Sequence, residues 1–135
     1  MLRISTKSQY GLRAMVYLAK CRRKICPLRL ISKKEGILFD YLEKIIEKLE
    51  KTGLVKSKKG VQGGYFLGRQ ASKIKIGEIV RTLEGDTSLV KCMASDKRYR
   101  CPLESKCLTK KFWGKLQKSL NSALDSITLV DLISR

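Results

Sequence analysis

The 135-residue chain carries 30 Lys and Arg against 12 Asp and Glu, a formal charge of +18, with 43% apolar residues, 7% aromatics and no histidine. One domain is the default at this length, and the apolar content supports a packed core rather than a disordered basic tail. The charge points to a polyanionic partner such as DNA, RNA or an anionic membrane surface, whereas a thermophile-like surface would balance its signs. Without histidine, Ser-His-Asp, Cys-His and His-metal constellations are excluded. No apolar run approaches the roughly 18 residues of a membrane span. The start, Met1 to Lys7, has no apolar core of a signal peptide, so a cytoplasmic protein is expected. Five cysteines, an odd count, argue against a full disulfide framework.

From Thr6 to Cys21 apolar residues recur at helical spacing, with Ser5 or Thr6 as N-cap, which predicts a first helix. Arg22-Arg23-Lys24 forms a basic loop. Pro27 opens a short second helix, Leu28 to Glu35, stopped by Gly36. A third helix runs from about Phe39 to Thr52, with Leu42, Ile45, Ile46 and Leu49 on one face, and Gly53 closes it. Two helices joined by a short turn, the second exposing charges and an aromatic in its first turn, form a helix-turn-helix.

A strand over Leu54 to Lys58, a turn over Lys59 to Gly64 and a returning strand over Tyr65 to Leu67 add a β-hairpin wing. Its glycines let the backbone approach a phosphate, and Lys56, Lys58 and Lys59 supply the charge; pure turn chemistry is the competing reading. A fourth helix is predicted from Ile76 to Glu84, ended by Gly85, with Ile76, Ile79, Val80 and Leu83 buried. Between Asp86 and Cys107 periodicity stops. A long helix then spans Leu108 to about Ser126, with Phe112, Leu116, Leu120 and Leu124 at four-residue spacing, flanked by Trp113 and Ile127. So little of the small domain is left to cover this stripe that packing against a second copy is expected. Thr128 caps a last helix, Leu129 to Ser134.

The first 60 residues hold 16 basic and 5 acidic side chains, so +11 of the total +18 falls on the helix-turn-helix and wing. The fold class is therefore mainly α with a small β-hairpin: a winged helix-turn-helix domain over 1–85, a cysteine-containing sensor loop over 86–107, and a dimerisation helix with a short C-terminal helix over 108–135. On double-stranded DNA, Leu38, Asp40, Tyr41, Glu43 and Lys44 are placed near base edges, while Lys56, Lys58, Lys59, Gly60, Gln62, Gly63 and Gly64 follow phosphate or the minor groove. Glu43 either discriminates bases or pairs with Lys44 on the helix surface. Arg3, Lys7 and Arg13 are phosphate candidates by charge alone. Tyr10, Leu12, Met15, Leu42, Ile45 and Leu49 are assigned to the core. No cradle, base or nucleophile pair supports an enzyme, and no membrane partner is expected.

Cys92, Cys101 and Cys107 are separated by eight and five residues. Structural zinc sites use tight pairs and four ligands, so the spacing fits zinc poorly, whereas iron-sulfur clusters accept wider, irregular spacing. The surrounding Lys91, Lys97, Arg98, Arg100, Lys106 and Lys110 favour thiolate, which assists either metal binding or oxidation.

Several segments together resemble the Rrf2 (Rrf-two) family of bacterial transcription regulators. They are Ile4 to Met15, Ile31-Ser32, Tyr41-Leu42-Glu43, Leu54-Val55, Gly60 to Tyr65, Ile76 to Ile79 and Ile127 to Leu132. The resemblance implies a homodimeric winged helix-turn-helix regulator with a sensory iron-sulfur cluster, [2Fe-2S] favoured over [4Fe-4S], on the metal ligands Cys92, Cys101 and Cys107. Relatives usually have five residues between the first two cysteines. The fourth ligand of the iron-sulfur type falls at Lys110, and that of the nitric-oxide type at Gln9, and neither residue is a good ligand. The fourth position is left to Glu104, Asp96, Cys21, Cys26, a small molecule or nothing. A cluster-free thiol-redox regulator and a basic RNA-associated protein are the alternatives.

Overall fold

A computed structural model describes residues 3–21, 25–94, 98 and 100–134. The loop Arg22-Arg23-Lys24, Asp96 and Lys97 lie outside the described residues. The elements are α1 (Thr6–Lys20), α2 (Leu28–Glu35), α3 (Phe39–Lys51), β1 (Val55–Lys58), β2 (Gly64–Leu67), α4 (Ile76–Glu84), α5 (Lys110–Ser126) and α6 (Leu129–Ile133), in that order. Every helix and strand expected from the sequence is present, with ends shifted by one or two residues where caps replace the last periodic residue.

Caps explain most of those ends. Ser5 starts α1 by accepting the Ser8 backbone N–H at 3.2 Å. Gly36 takes the left-handed conformation at φ 65° and stops α2, leaving a short turn before α3. Helix α5 begins at Lys110 rather than at Leu108, because Thr109 stands at the cap. Thr128 caps α6, its N–H and hydroxyl both donating to Asp131 Oδ2 at 2.9 and 3.0 Å. Two 3-10 turns, Ala71–Lys73 and Lys91–Met93, had no clear sequence signal.

The core gathers one stripe from each helix of the first half. Leu42, Ile45, Ile46 and Leu49 of α3 are all but inaccessible, as are Met15 of α1, Ile31 of α2 and Ile79 and Leu83 of α4. Each such side chain contributes about 1.5–3 kcal/mol on burial. Tyr10 and Leu12, expected in the core, are only half-buried against its edge. Gly11 lets α1 pass close to α3 and α4, since a Cβ there would collide with Leu83 Cδ1 and press on Ile45 Cγ2 at 3.3 Å. Helix α6 is tied back to the same core: Leu129 is fully buried, and its N–H donates to the Ile74 carbonyl at 2.8 Å.

The hairpin pairs Val55 with Leu67, Lys56 with Phe66, Ser57 with Tyr65 and Lys58 with Gly64. It is wider than expected, because Cys26 adds an isolated antiparallel bridge to Tyr65, with two reciprocal N–H···O bonds of 2.8 Å. The wing is thereby fastened to the segment that leads into α2. A Cβ on Gly64 would meet the Cys26 carbonyl oxygen at 2.5 Å, which explains glycine at that position.

Helix α5 differs from the rest. It contains no buried residue, and its contacts with other helices are made chiefly to α4. There Arg81 donates to both oxygens of Asp125 at 2.7 and 3.0 Å. Among the described residues no helix is long and apolar enough to cross a membrane.

Candidate nucleic-acid interface and cysteine segment

Helix α3 presents the residues expected near base edges. Leu38, at its N-cap, is 81% exposed although apolar, and Asp40, Tyr41, Glu43 and Lys44 are exposed beside it. Tyr41 is held from behind by an edge-to-face contact with Tyr10 at 5.9 Å, and Arg13 lies over the Tyr10 ring at 5.5 Å. Arg13, a phosphate candidate, is engaged within the fold: it pairs with the Glu35 carboxylate at 3.7 Å and donates to the Glu35 carbonyl. Arg29 of α2 sits over the Phe39 ring at 4.4 Å, which sets a cation beside the start of α3. Its place at the second position of α2 is the sequence signal for that cation.

Charges on α3 sort onto two flanks. Glu43, Glu47 and Glu50 recur at helical spacing toward the hairpin, where the Ser57 hydroxyl donates to Glu50 Oε2 at 2.6 Å. Burial, then the carboxylates of Glu50, Glu43 and Glu47, hold the Tyr65 hydroxyl above its ordinary pKa. Glu43 thus faces the hairpin side rather than pairing with Lys44. Lys44, Lys48 and Lys51 occupy the opposite flank. Lys7 of α1, then burial and the Lys51 charge, hold the Lys48 ammonium below its usual pKa.

The hairpin exposes Lys56, Lys58, Lys59, Gly60 and Gln62, with Val61 fully exposed at the tip and Gly63 and Gly64 half-buried beneath. The turn closes through the Gly63 N–H to the Gly60 carbonyl at 2.9 Å, with Gly60 at φ 116°. Arg3 lines a cavity of about 580 Å³ between α4 and α5, along with Ile4, Val80, Glu84, Leu120 and Leu124. Its place is therefore beside the α5 stripe.

The segment after α4 is fastened to α5 at its near end. The Leu89 N–H donates to Gln117 Oε1 at 2.7 Å, and Met93 approaches Gly114. Cys92 is exposed in the 3-10 turn, while Cys101 and Cys107 are half-buried; all three are free thiols. Cys107 stands just ahead of α5, its Sγ 3.3 Å from the Thr109 hydroxyl. The Thr109 hydroxyl, then the Thr109 and Lys110 N–H groups and the Lys110 charge, hold this thiol below its ordinary pKa. Among the described residues no three Cys, Asp or Glu side chains come together as a metal-binding group. Of the fourth-ligand candidates, Cys26 is buried in the core, and Glu104 pairs with Lys110 at 3.9 Å.

A helix-turn-helix with an exposed recognition face, a fastened basic wing and a separate cysteine segment leading into an uncovered helix define a winged-helix, DNA-binding transcription regulator. Residues 4–135 match the Rrf2 family, described as an iron-dependent transcriptional regulator, and the chain belongs to that family. It is similar to the HTH-type transcriptional regulator IscR of Klebsiella pneumoniae (strain 342), 34% identical over 134 residues that cover 98% of this chain and 80% of that protein. Among solved structures it is similar to T. potens IscR, with 41% identity, a TM-score of 0.77, and coverage of 98% of this chain and 86% of that one. It is also similar to CymR, the global cysteine regulator of B. subtilis, with 37% identity, a TM-score of 0.78, and coverage of 98% and 96%. These relatives are transcriptional regulators and not enzymes.

Proposed function

We propose that the protein is a homodimeric regulator whose grip on its operator is set by the chemical state of Cys92, Cys101 and Cys107, most simply through an iron-sulfur cluster. The observation that carries this reading is the position of Cys107, whose thiol is held toward thiolate by the very residues that start α5. The donor chemistry fits: three soft thiols on one basic segment, with Cys92, Cys101 and Cys107 as the residues that would hold the group. When bound, a cluster supplies one-electron redox chemistry.

The chain's own residues provide a path from this segment to DNA. Cys107 and Thr109 stand together at the start of α5. Arg81 and Asp125 join the far end of α5 to α4. Helix α4 packs on α1 and α3, so a change at the start of α5 has packed neighbours all the way to the recognition helix. Dimerisation is supported by α5 itself, whose Phe112, Leu116 and Leu120 remain wholly or half exposed. Leu38, Asp40, Tyr41, Glu43 and Lys44 read bases in this scheme, while Lys56, Lys58 and Lys59 hold phosphate.

Anaerobic purification followed by iron and sulfide counts and a visible spectrum tests the cluster. Stoichiometric iron and sulfide with visible absorbance, lost in the Cys92→Ala, Cys101→Ala, Cys107→Ala triple variant, are expected. Reproducibly substoichiometric iron after reconstitution overturns the cluster. A second reading, a cluster-free thiol switch, is favoured by the activated Cys107 thiol and the likeness to a cysteine regulator. Mass spectrometry after peroxide treatment of metal-free protein distinguishes it by a modified Cys107.

A further inference from the structure

Arg29 is the exposed second residue of α2, and its guanidinium carbon lies 4.4 Å over the centroid of the Phe39 ring. Other arginines spend their donors inside the fold: Arg13 on the Glu35 carboxylate and carbonyl, Arg69 on Glu78 and the Lys73 carbonyl, Arg81 on both oxygens of Asp125. Arg29 does not. Among the described residues it makes no hydrogen bond or ion pair, and an aromatic face attracts the cation without using up its N–H groups. The ring beneath it is steady, because Phe39 is half-buried and packs against the core. A guanidinium is thus kept in one place with its donor fork open. An arginine in that state captures an anion at little further cost in side-chain order.

Its location names the anion. Phe39 lies between Leu38 and Asp40, both placed near base edges, and α2 is the first helix of the helix-turn-helix, the one that crosses the DNA backbone while the second lies in the major groove. Asp40 is exposed, makes no ion pair among the described residues and would repel that backbone, so a cation at this edge has to offset it. We propose that Arg29 holds one backbone phosphate of the bound duplex beside the N-terminal end of the recognition helix, with Phe39 as the positioning residue that keeps its guanidinium in place. The contact fixes how far the first turn of α3 enters the groove, and the hairpin lysines take a separate stretch of backbone. This rests on the DNA-binding reading and adds to it a contact outside α3 and the hairpin.

The test is an anisotropy titration, across a salt series, of a duplex selected from a random-sequence pool by the wild-type protein. The same duplex is also made with single methylphosphonates, each of which removes one backbone charge. Wild type is compared with Arg29→Gln, Phe39→Leu, Phe39→Tyr, the Arg29→Gln, Phe39→Leu double variant, and a Lys58→Gln, Lys59→Gln hairpin control. For each bound subunit, Arg29→Gln is expected to lose about 0.9 from the magnitude of the log affinity against log salt slope, the share of one phosphate. Its affinity falls about tenfold, equally for the selected and a scrambled duplex. At least one methylphosphonate that weakens wild type leaves Arg29→Gln unaffected. Phe39→Leu weakens binding about threefold, as loss of one exposed cation–π contact would, Phe39→Tyr keeps wild-type affinity, and Phe39→Leu adds nothing once Arg29 is replaced. Unchanged slope, affinity and methylphosphonate profile in Arg29→Gln, while the hairpin control weakens, overturn this inference alone. Equal losses from Phe39→Leu with and without Arg29 overturn the positioning role, by making the effect one of packing. Salt-independent binding by wild type overturns the DNA-binding reading beneath it.

Discussion

Each of the four helices up to Gly85 buries an apolar stripe, whereas α5, a longer helix with a regular apolar stripe of its own, buries none. The first region closes on itself: four helices, a hairpin and the returning α6 share one continuous core. The second is attached through Arg81–Asp125, Gln117, Met93 and Leu124, which packs against that core, and the rest of its stripe is left wholly or half exposed. The contrast separates two kinds of requirement. A winged helix must hold its recognition helix rigidly before DNA arrives, so packing is complete within one chain. On the proposed reading, the cysteine segment and α5 respond to a signal, and their packing is left to a second copy and to the thiol-bound group.

Substitutions in the two regions should therefore differ in kind as well as in size. Leu42→Ala, at the centre of the closed core, is expected to cost about 2–5 kcal/mol in chemical denaturation. Gly11→Ala, which drives a methyl toward Leu83, should cost about 1–3 kcal/mol and weaken DNA binding with it. Leu120→Glu on α5 should leave far-ultraviolet dichroism intact but weaken self-association at least about tenfold by analytical ultracentrifugation. Equal destabilisation by Leu42→Ala and Leu120→Glu would erase the distinction between the regions.

The joint between them makes a smaller, pH-dependent contribution. Arg81 holds the Asp125 carboxyl below its ordinary pKa, first through their hydrogen bond and then by charge. A carboxylate with a lowered folded pKa stabilises fully above the unfolded value of about 3.9, and that stability fades as pH falls through the folded pKa. For a pair this exposed it is under about 1 kcal/mol. Asp125→Asn should flatten the wild-type loss of stability in that acid range, measured by thermal unfolding. The smallest effect concerns Cys107. Thr109→Val removes its leading hydrogen bond, so alkylation of Cys107 near neutral pH should slow by a few-fold while that of Cys92 is unchanged.

Much of the closed region was legible in the sequence, because each helix there carries both a periodic stripe and a cap: Ser5 before α1, Gly36 after α2, Thr128 before α6. The hairpin was legible from its glycines. The Cys26–Tyr65 bridge was not, since a single paired residue leaves no alternation to read. The Arg13–Glu35 pair was not legible, because Glu35 is distant in sequence and only the α1–α2 crossing brings the two together. The two charged flanks of α3 are written in the spacing of Glu43, Glu47, Glu50 and Lys44, Lys48, Lys51, but which flank faces the hairpin depends on helix packing. For the cysteines the sequence supplied residue types and order. Whether they converge depends on the folding of an aperiodic segment, and nothing in their spacing determines it.

The central claim is that the cysteine segment governs the closed DNA-binding region. Its most direct test is the affinity of anaerobically prepared protein for a selected duplex, before and after the thiol-bound group is removed with an iron chelator. The account predicts a change of about tenfold or more in wild type, and no change in the Cys92→Ala, Cys101→Ala, Cys107→Ala variant. Equal affinities before and after removal, in wild-type protein that demonstrably carried the group, would contradict it.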